Sequence, residues 1–320
     1  MKKRFLLFFI FIGISCSPKK SDYVTKTYIV MGTVLNVTIP RDYAFLSDSV
    51  YSIFRLVDSL MNPIKPYSDI YKINSNSGRF VPVHPYTADC IKKSLLVSEL
   101  TGGAFDITVG SLVHLWHFDE QGKYEFPPDD SVEKYKKFID FRKIIVRGSA
   151  VKIGKNQRIT VAGIAKGYAI DLSAQYLKSK GVNSAIIDAG GDLYLLGSKG
   201  RRPWKVGIRD PHNKGINKII ALSDLACCTS GDYERYVEQN GKRYSHLFSP
   251  FTGYPVSNGV RSVTVIYGNA TLCDAFATAI FVLGPDEAKS LKKKIEGLEY
   301  YIIMDDTTLF SDGFNSYLID

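Results

Sequence analysis

The sequence predicts an α+β fold. Long stretches space their apolar residues helically, many short stretches alternate as strands, and no regular strand–helix–strand rhythm builds a doubly wound parallel sheet. No repeat of roughly 20–50 residues recurs and no Pro- or Ser-rich linker divides the chain, so one unit with two lobes is expected.

Residues 30–40 alternate as a strand. Residues 46–61 repeat Val50, Ile53, Phe54, Val57 and Leu60 at helical spacing and stop before Asn62-Pro63. A second helix is expected over 87–100, ended by Thr101-Gly102-Gly103. Residues 143–146 and 150–153 form a hairpin around Gly148. Residues 164–178 carry Ile164, Ala165, Tyr168, Ala169, Leu172 and Tyr176 as a helical stripe, with Lys178, Lys180 and Gly181 as stop signals. Strands follow at 184–188 and 193–196, joined across Ala189-Gly190-Gly191, then at 204–209, 219–222 and 262–267. An apolar helix at 271–283 closes at Gly284-Pro285, and a last strand lies near 300–304.

With 45% apolar and 23% charged residues, 20 Tyr and 18 Phe, the composition is globular and excludes a disordered, collagenous or coiled-coil chain. The net charge of +9 suits an anionic ligand or a membrane surface. The basic residues are scattered (Lys19-Lys20, Lys136-Lys137, Arg201-Arg202, Lys292 to Lys294) and not interleaved with aromatics along a helix, so no nucleic-acid partner is expected.

Lys2-Lys3-Arg4, an apolar run over 5–14, and Ser15-Cys16 make a basic start, a core too short to span a bilayer and a small residue before a cysteine. This resembles a bacterial lipoprotein signal, with Gly13 where Leu is usual. It implies removal of 1–15, a lipidated Cys16 with a tether over 16–27, and a folded domain over 28–320. The expected location is the bacterial cell envelope, lipid-anchored and facing the periplasm; an ordinary signal peptide or an uncleaved anchor is the alternative, and each exports the chain. Cys90, Cys227, Cys228 and Cys273 are too unevenly spaced for a disulfide framework and are expected to be buried thiols. His114-x-x-His117 offers two zinc ligands without a third, so packing beside Trp116 is expected instead.

Four segments carry candidate chemistry. Asp274 and Thr278 stand i and i+4 on one helix, where a carboxylate and a hydroxyl side by side suit Mg²⁺; a helix first turn with Asp near the positive dipole end is the alternative reading. The run Thr160-Val161-Ala162-Gly163-Ile164-Ala165-Lys166-Gly167 leads a strand into a helix with a lysine one turn in, either an anion site or a plain turn. Asp188-Ala189-Gly190-Gly191-Asp192 reads as a tight hairpin turn flanked by carboxylates. His246 precedes the rigid loop Leu247-Phe248-Ser249-Pro250-Phe251-Thr252-Gly253-Tyr254-Pro255, where an imidazole can act as a base.

In order and wording these segments, with Met31-Gly32-Thr33, Ser68-Asp69-Ile70, Thr101 to Asp106, Trp204 to Ile208 and Thr229-Ser230-Gly231-Asp232-Tyr233, closely resemble the ApbE family of FAD:protein FMN transferases over residues 31–284. The resemblance implies a T-fold-related α+β architecture with an FAD cleft between two lobes. It implies a Mg²⁺-dependent enzyme that splits FAD and links FMN to a Thr or Ser hydroxyl of an acceptor protein, releasing AMP. FAD pyrophosphatase activity, or FAD binding without turnover, is the alternative. By the same analogy Asp274, Thr278 and the Gly163 carbonyl would hold Mg²⁺ and Lys166 would contact FAD phosphate. Met31, Ala104, Phe105, Asp106, Thr160 and Phe248 would line the FAD site, and His246 would be the base. The acceptor would be a flavoprotein of the envelope. Three positions depart from the family: Ser249-Pro250 stands where Asp-Pro is frequent, Thr160 where Asp or Asn is frequent, and Met61-Asn62-Pro63-Ile64 lacks a usual Tyr that Tyr67 would replace.

Overall fold

The computed structural model describes residues 22–118, 126–213, 215–233, 236–239 and 242–319, so the expected signal over 1–15 and Cys16 lie outside the described residues. The described residues open with a hairpin of β1 (Tyr23–Val30) and β2 (Thr33–Pro40). Met31 and Gly32 join them at φ 53° and 70°, the positive pair that a two-residue type I′ turn requires. The strand expected from residue 30 is therefore the second arm of a hairpin. Its first arm takes in residues 23–27, which the sequence reading assigned to the tether; Val24 and Tyr28 turn toward the core there while Thr25, Thr27 and Ile29 stay exposed, a strand alternation hidden by its polar face.

In chain order there follow α1 (Ser47–Met61), α2 (Asp69–Ser75), β3 (Val81–Pro82), α3 (Pro85–Leu100), α4 (Gly110–Leu115), α5 (Asp129–Lys136), β4 (Ile145–Arg147) and β5 (Ala150–Lys152). Then come α6 (Ala165–Ser179), β6 (Ala185–Ala189), β7 (Asp192–Leu196), β8 (Trp204–Arg209), β9 (Ile216–Leu222), β10 (Leu225–Gly231), β11 (Tyr236–Gln239) and β12 (Lys242–Ser245). The chain ends with β13 (Val260–Tyr267), α7 (Ala270–Leu283), α8 (Pro285–Lys294), β14 (Glu299–Met304), β15 (Thr308–Phe310) and β16 (Leu318–Ile319). No helix of the described residues is long and apolar enough to cross a membrane.

The centre is an eight-stranded antiparallel sheet, β1-β2-β6-β7-β10-β13-β14-β15, which bears out the α+β expectation. Successive strand residues point to opposite faces, and here both faces are covered. Leu196, Cys228, Val265, Tyr300 and Ile302 pack into the main core with Ala169 and Ile170 of α6 and Phe276 and Ile280 of α7. Their neighbours Leu195, Cys227, Ile266, Tyr301 and Ile303 pack instead on Trp204, Ile208, Ile220 and Leu222 from the three-stranded sheet β16-β9-β8. The four described cysteines are buried free thiols, and burial pushes each of them up.

Helices α6 and α7 lie side by side on this sheet and cap one another. Asp171 of α6 accepts the first N–H groups of α7, from Ala270 at 2.8 Å and Thr271 at 2.9 Å, together with the Thr271 hydroxyl. Asn269 takes the next one, from Leu272. In return Asp274 of α7 accepts the Gly167 N–H in the first turn of α6 at 3.1 Å, where Ile164 supplies no side-chain cap. The helices approach so closely that a Cβ on Gly167 would fall 2.1 Å from the Ala270 carbonyl oxygen. Gly167→Ala is therefore expected to force the helices apart and lower stability by about 1–3 kcal/mol, read as an earlier midpoint in urea unfolding.

Candidate active site

The segment entering α6 is fixed by backbone bonds. Thr160 N–H donates to Ile107 O at 2.8 Å, and the N–H groups of Ile164 and Ala165 donate to Val161 O at 3.1 and 2.9 Å. Gly163 is thereby set against α7: a Cβ there would lie 3.0 Å from Thr278 Oγ1 and 3.4 Å from Phe105 Cε2. Thr278 Oγ1 in turn lies 3.3 Å from Ser230 Oγ at the end of β10. Asp274, one turn earlier on α7, is buried with its Oδ2 on Gly167 N–H. Carboxylate, hydroxyl and the Gly163 backbone thus meet at the start of α6.

Lys166, one residue into that helix, is ion-paired to Asp192, the first residue of β7. The Asp192 side chain is only 1% exposed, and its second oxygen accepts Thr229 N–H at 3.1 Å, so a buried carboxylate is matched by one cation and one amide. Two hairpin tips close this end of the sheet. Gly190 N–H bonds Val34 O at 2.9 Å, and a Cβ on Gly190 would fall 2.1 Å from Thr33 Oγ1, so the Met31–Gly32 turn is locked beside the Gly190–Gly191 turn.

Residues 31–302 match the model of the ApbE family. The chain belongs to that family. The Escherichia coli (strain K12) protein named FAD:protein FMN transferase is 31% identical over 334 residues, covering 98% of this chain and 95% of that protein. The Vibrio cholerae protein of the same name is 29% identical over 310 residues, 93% of this chain and 91% of its own. Among solved structures, the ApbE protein from Thermotoga maritima superposes with a TM-score of 0.87 at 30% identity, covering 93% of this chain and all of that one.

The remaining residues singled out by the ApbE resemblance fall in two places. Ala104 and Phe105 are buried, and the Phe105 ring reaches Gly163. The Asp106 carboxylate faces its own loop, accepting Thr108 N–H at 2.8 Å, the Thr108 hydroxyl at 2.7 Å and Phe141 N–H at 3.1 Å. Burial pushes its carboxyl up, against those hydrogen bonds, which pull it down. His246 and Phe248 belong to the segment after β12. Phe248 is buried against the rings of Trp116 and Phe118, at 5.8 and 5.5 Å. A cavity of about 650 Å³ opens between α3 and α6, and none of the expected site residues lines it.

Two of the departures keep the geometry. Ser249 Oγ accepts Thr252 N–H at 3.2 Å and Thr160 Oγ1 accepts Ala162 N–H at 3.3 Å, the turn-closing bonds that Asp or Asn makes at such positions. Tyr67, the expected replacement ring, is 62% exposed. Ser230 and Asp171 carry no expected role in the sequence and Asp192 reads there as a residue flanking a turn, although all three stand inside the matched residues 31–302. Lys166→Met is expected to destabilise by about 3 kcal/mol, at the low end for a broken buried pair because Lys166 keeps some contact with solvent. Asp192→Asn in the same chain should recover much of that loss in a double-mutant cycle read by urea unfolding.

Proposed function

We infer that the chain is an FAD:protein FMN transferase: it takes FAD, joins FMN through a phosphoester to an acceptor protein and releases AMP. The observation that carries this is the meeting of Gly163, Asp274 and Thr278 with Lys166 at the start of α6, inside a family match that spans the site. Among the described residues no three His, Cys, Asp or Glu side chains converge on a metal position. The donor set here is one carboxylate, one hydroxyl and one carbonyl, all hard oxygens, which fits Mg²⁺ completed by phosphate and water. Asp274, Thr278 and the Gly163 carbonyl would hold the ion, which when bound neutralises charge on the diphosphate.

The chain's own residues supply the rest. Lys166, held by Asp192, presents a fixed cation to a dianionic diphosphate, and the first turn of α6 presents its dipole. Phe105 and the Met31 turn border the same end and would shape the nucleotide site. The acceptor hydroxyl attacks the FMN-side phosphorus, the bond to the AMP phosphate breaks, and AMP leaves with its electron pair. His246 takes the hydroxyl proton in this scheme. The acceptor is a Thr- or Ser-bearing flavoprotein of the cell envelope, and the enzyme is anchored there through Cys16.

With FAD, Mg²⁺ and a Thr-containing acceptor domain, AMP release is expected to depend on the acceptor and to leave flavin on the denatured acceptor. Asp274→Ala should lower kcat on the order of 10²-fold or more. Free FMN and AMP formed equally well without acceptor would make the enzyme a hydrolase. His246→Ala should retain FAD binding and lose roughly 10²–10⁴-fold in rate; an unchanged rate would remove the base assignment.

A further inference from the structure

We propose that the end of the molecule at which Tyr23 enters the sheet docks on an anionic membrane surface and holds the active-site end away from it. Three elements run between these two ends. β1 runs from Tyr23 to Val30 just before the Met31 turn, β7 from Asp192 to Leu196 just before the Gly197 turn, and α6 from the Lys166 turn to Lys178 and Lys180. At about 3.3 Å per strand residue, Tyr23 and Met31 are roughly 27 Å apart along the sheet.

The far end gathers cations from separate segments. Lys199, Gly200, Arg201 and Arg202 form an exposed turn, closed by Lys199 N–H to Arg202 O at 2.9 Å. Lys199 Nζ stands 5.9 Å from the Tyr23 ring and 6.0 Å from the Trp204 ring. The end of α6, with exposed Lys178 in its last turn and Lys180 just beyond, leads into a loop that comes against the segment before this turn, since a Cβ on Gly197 would fall 2.0 Å from Asn183 O. Arg41 joins them through its N–H to Asp22 O at 3.0 Å. The acidic residues nearby are Asp22, Asp42 and Asp224, of which Asp224 accepts Gly197 N–H at 3.0 Å. Among the described residues Lys180, Lys199, Arg201 and Arg202 take part in no ion pair.

Serine hydroxyls stiffen the turn: Ser184 Oγ donates to Ser198 O at 2.6 Å while meeting the Tyr23 hydroxyl at 2.8 Å. The basic face is therefore fixed to the strand on which the chain enters. Cys16 stands seven residues before Tyr23, a reach of at most roughly 25 Å. Each basic residue held near an anionic bilayer surface adds to the attraction between the two. The proposal rests on the envelope reading above for the presence of a bilayer within that reach, and not on the reaction catalysed.

The test is co-sedimentation of residues 16–320 carrying Cys16→Ser, which removes the lipid and retains every described element, with vesicles of phosphatidylcholine alone or mixed with phosphatidylglycerol. Binding is expected only with the anionic lipid and should weaken as salt rises. The variant Lys199→Glu/Arg201→Glu/Arg202→Glu should lose on the order of a hundredfold in partition. Arg79→Glu/Lys152→Glu/Lys155→Glu, which shifts net charge equally on the part of the chain around β5, should lose far less. Unfolding midpoint and AMP release from FAD in solution should be unchanged in the Lys199 variant, separating docking from folding and from catalysis. Equal partition on both vesicle types, or equal loss in the two triple variants, would overturn the proposal. The mass of Cys16-bearing chain isolated from cells reads lipidation independently.

Discussion

The close crossing of α6 on α7 is the constraint from which the site follows. Where Gly167 meets the Ala270 carbonyl there is no room for a side chain, and the space so removed lets each helix reach the other's first turn. Asp171 crosses from α6 to α7 and Asp274 crosses from α7 to α6. Each helix start would otherwise leave amide donors unmatched in an apolar core. The exchange fixes rotation and translation of one helix against the other, because an acceptor offset by one residue would meet the wrong donors. Thr278, one turn beyond Asp274, is then carried to Gly163, where Ser230 Oγ meets its hydroxyl at 3.3 Å.

Two further carboxylates stay buried, and only one of them is answered at the start of α6. Asp192 sits at the head of β7 directly under the first turn of α6, and Lys166 and Thr229 N–H answer its charge. Moving α6 off β7 would separate Lys166 from Asp192 and leave a carboxylate in a medium that penalises it. Asp106 is treated differently. Its three hydrogen bonds come from its own loop and from Phe141, so it shapes the run through Phe105 and contributes position where Asp274 contributes an acceptor at the helix start.

Elements with a strong internal period were legible in the sequence: α1, α3, α6 and α7 stand within a few residues of their expected bounds, as do the β4–β5 and β6–β7 hairpins. β10 was not. Its Leu-Ala-Cys-Cys-Thr-Ser-Gly has weak strand character, and its conformation is set by pairing between β7 and β13, a contact between distant segments that no local pattern records. β1 was hidden for a related reason, since its threonines make it look like solvated tether until β2 pairs with it. Within the site, one helical turn placed Asp274 and Thr278 on one helix and Lys166 was expected at a helix start, but the strand expected before it is absent, residues 153–164 being turn and loop held by bonds to Ile107 and Val161. The roles of Asp171, Asp192 and Ser230 were not, because each is defined by a partner far along the chain.

The two ends of the central sheet differ in how they handle charge, and this division follows from chain direction. At one end, hairpin tips with paired positive-φ residues bring backbone close to backbone, and glycine makes that approach possible where Thr33 meets Gly190. Side chains with buried charge gather there and are matched internally. At the other end β7 and α6 both run out into basic turns, and α6 places Lys178 in its own last turn, where the helix dipole favours a cation. Those charges face solvent, so their alignment at the chain's entry costs folding little and leaves them free to act on something outside the molecule. An antiparallel sheet returns every second connection to the same end, and that regularity brings the Met31 and Gly190 turns together at one end and the segments after β7 and α6 together at the other.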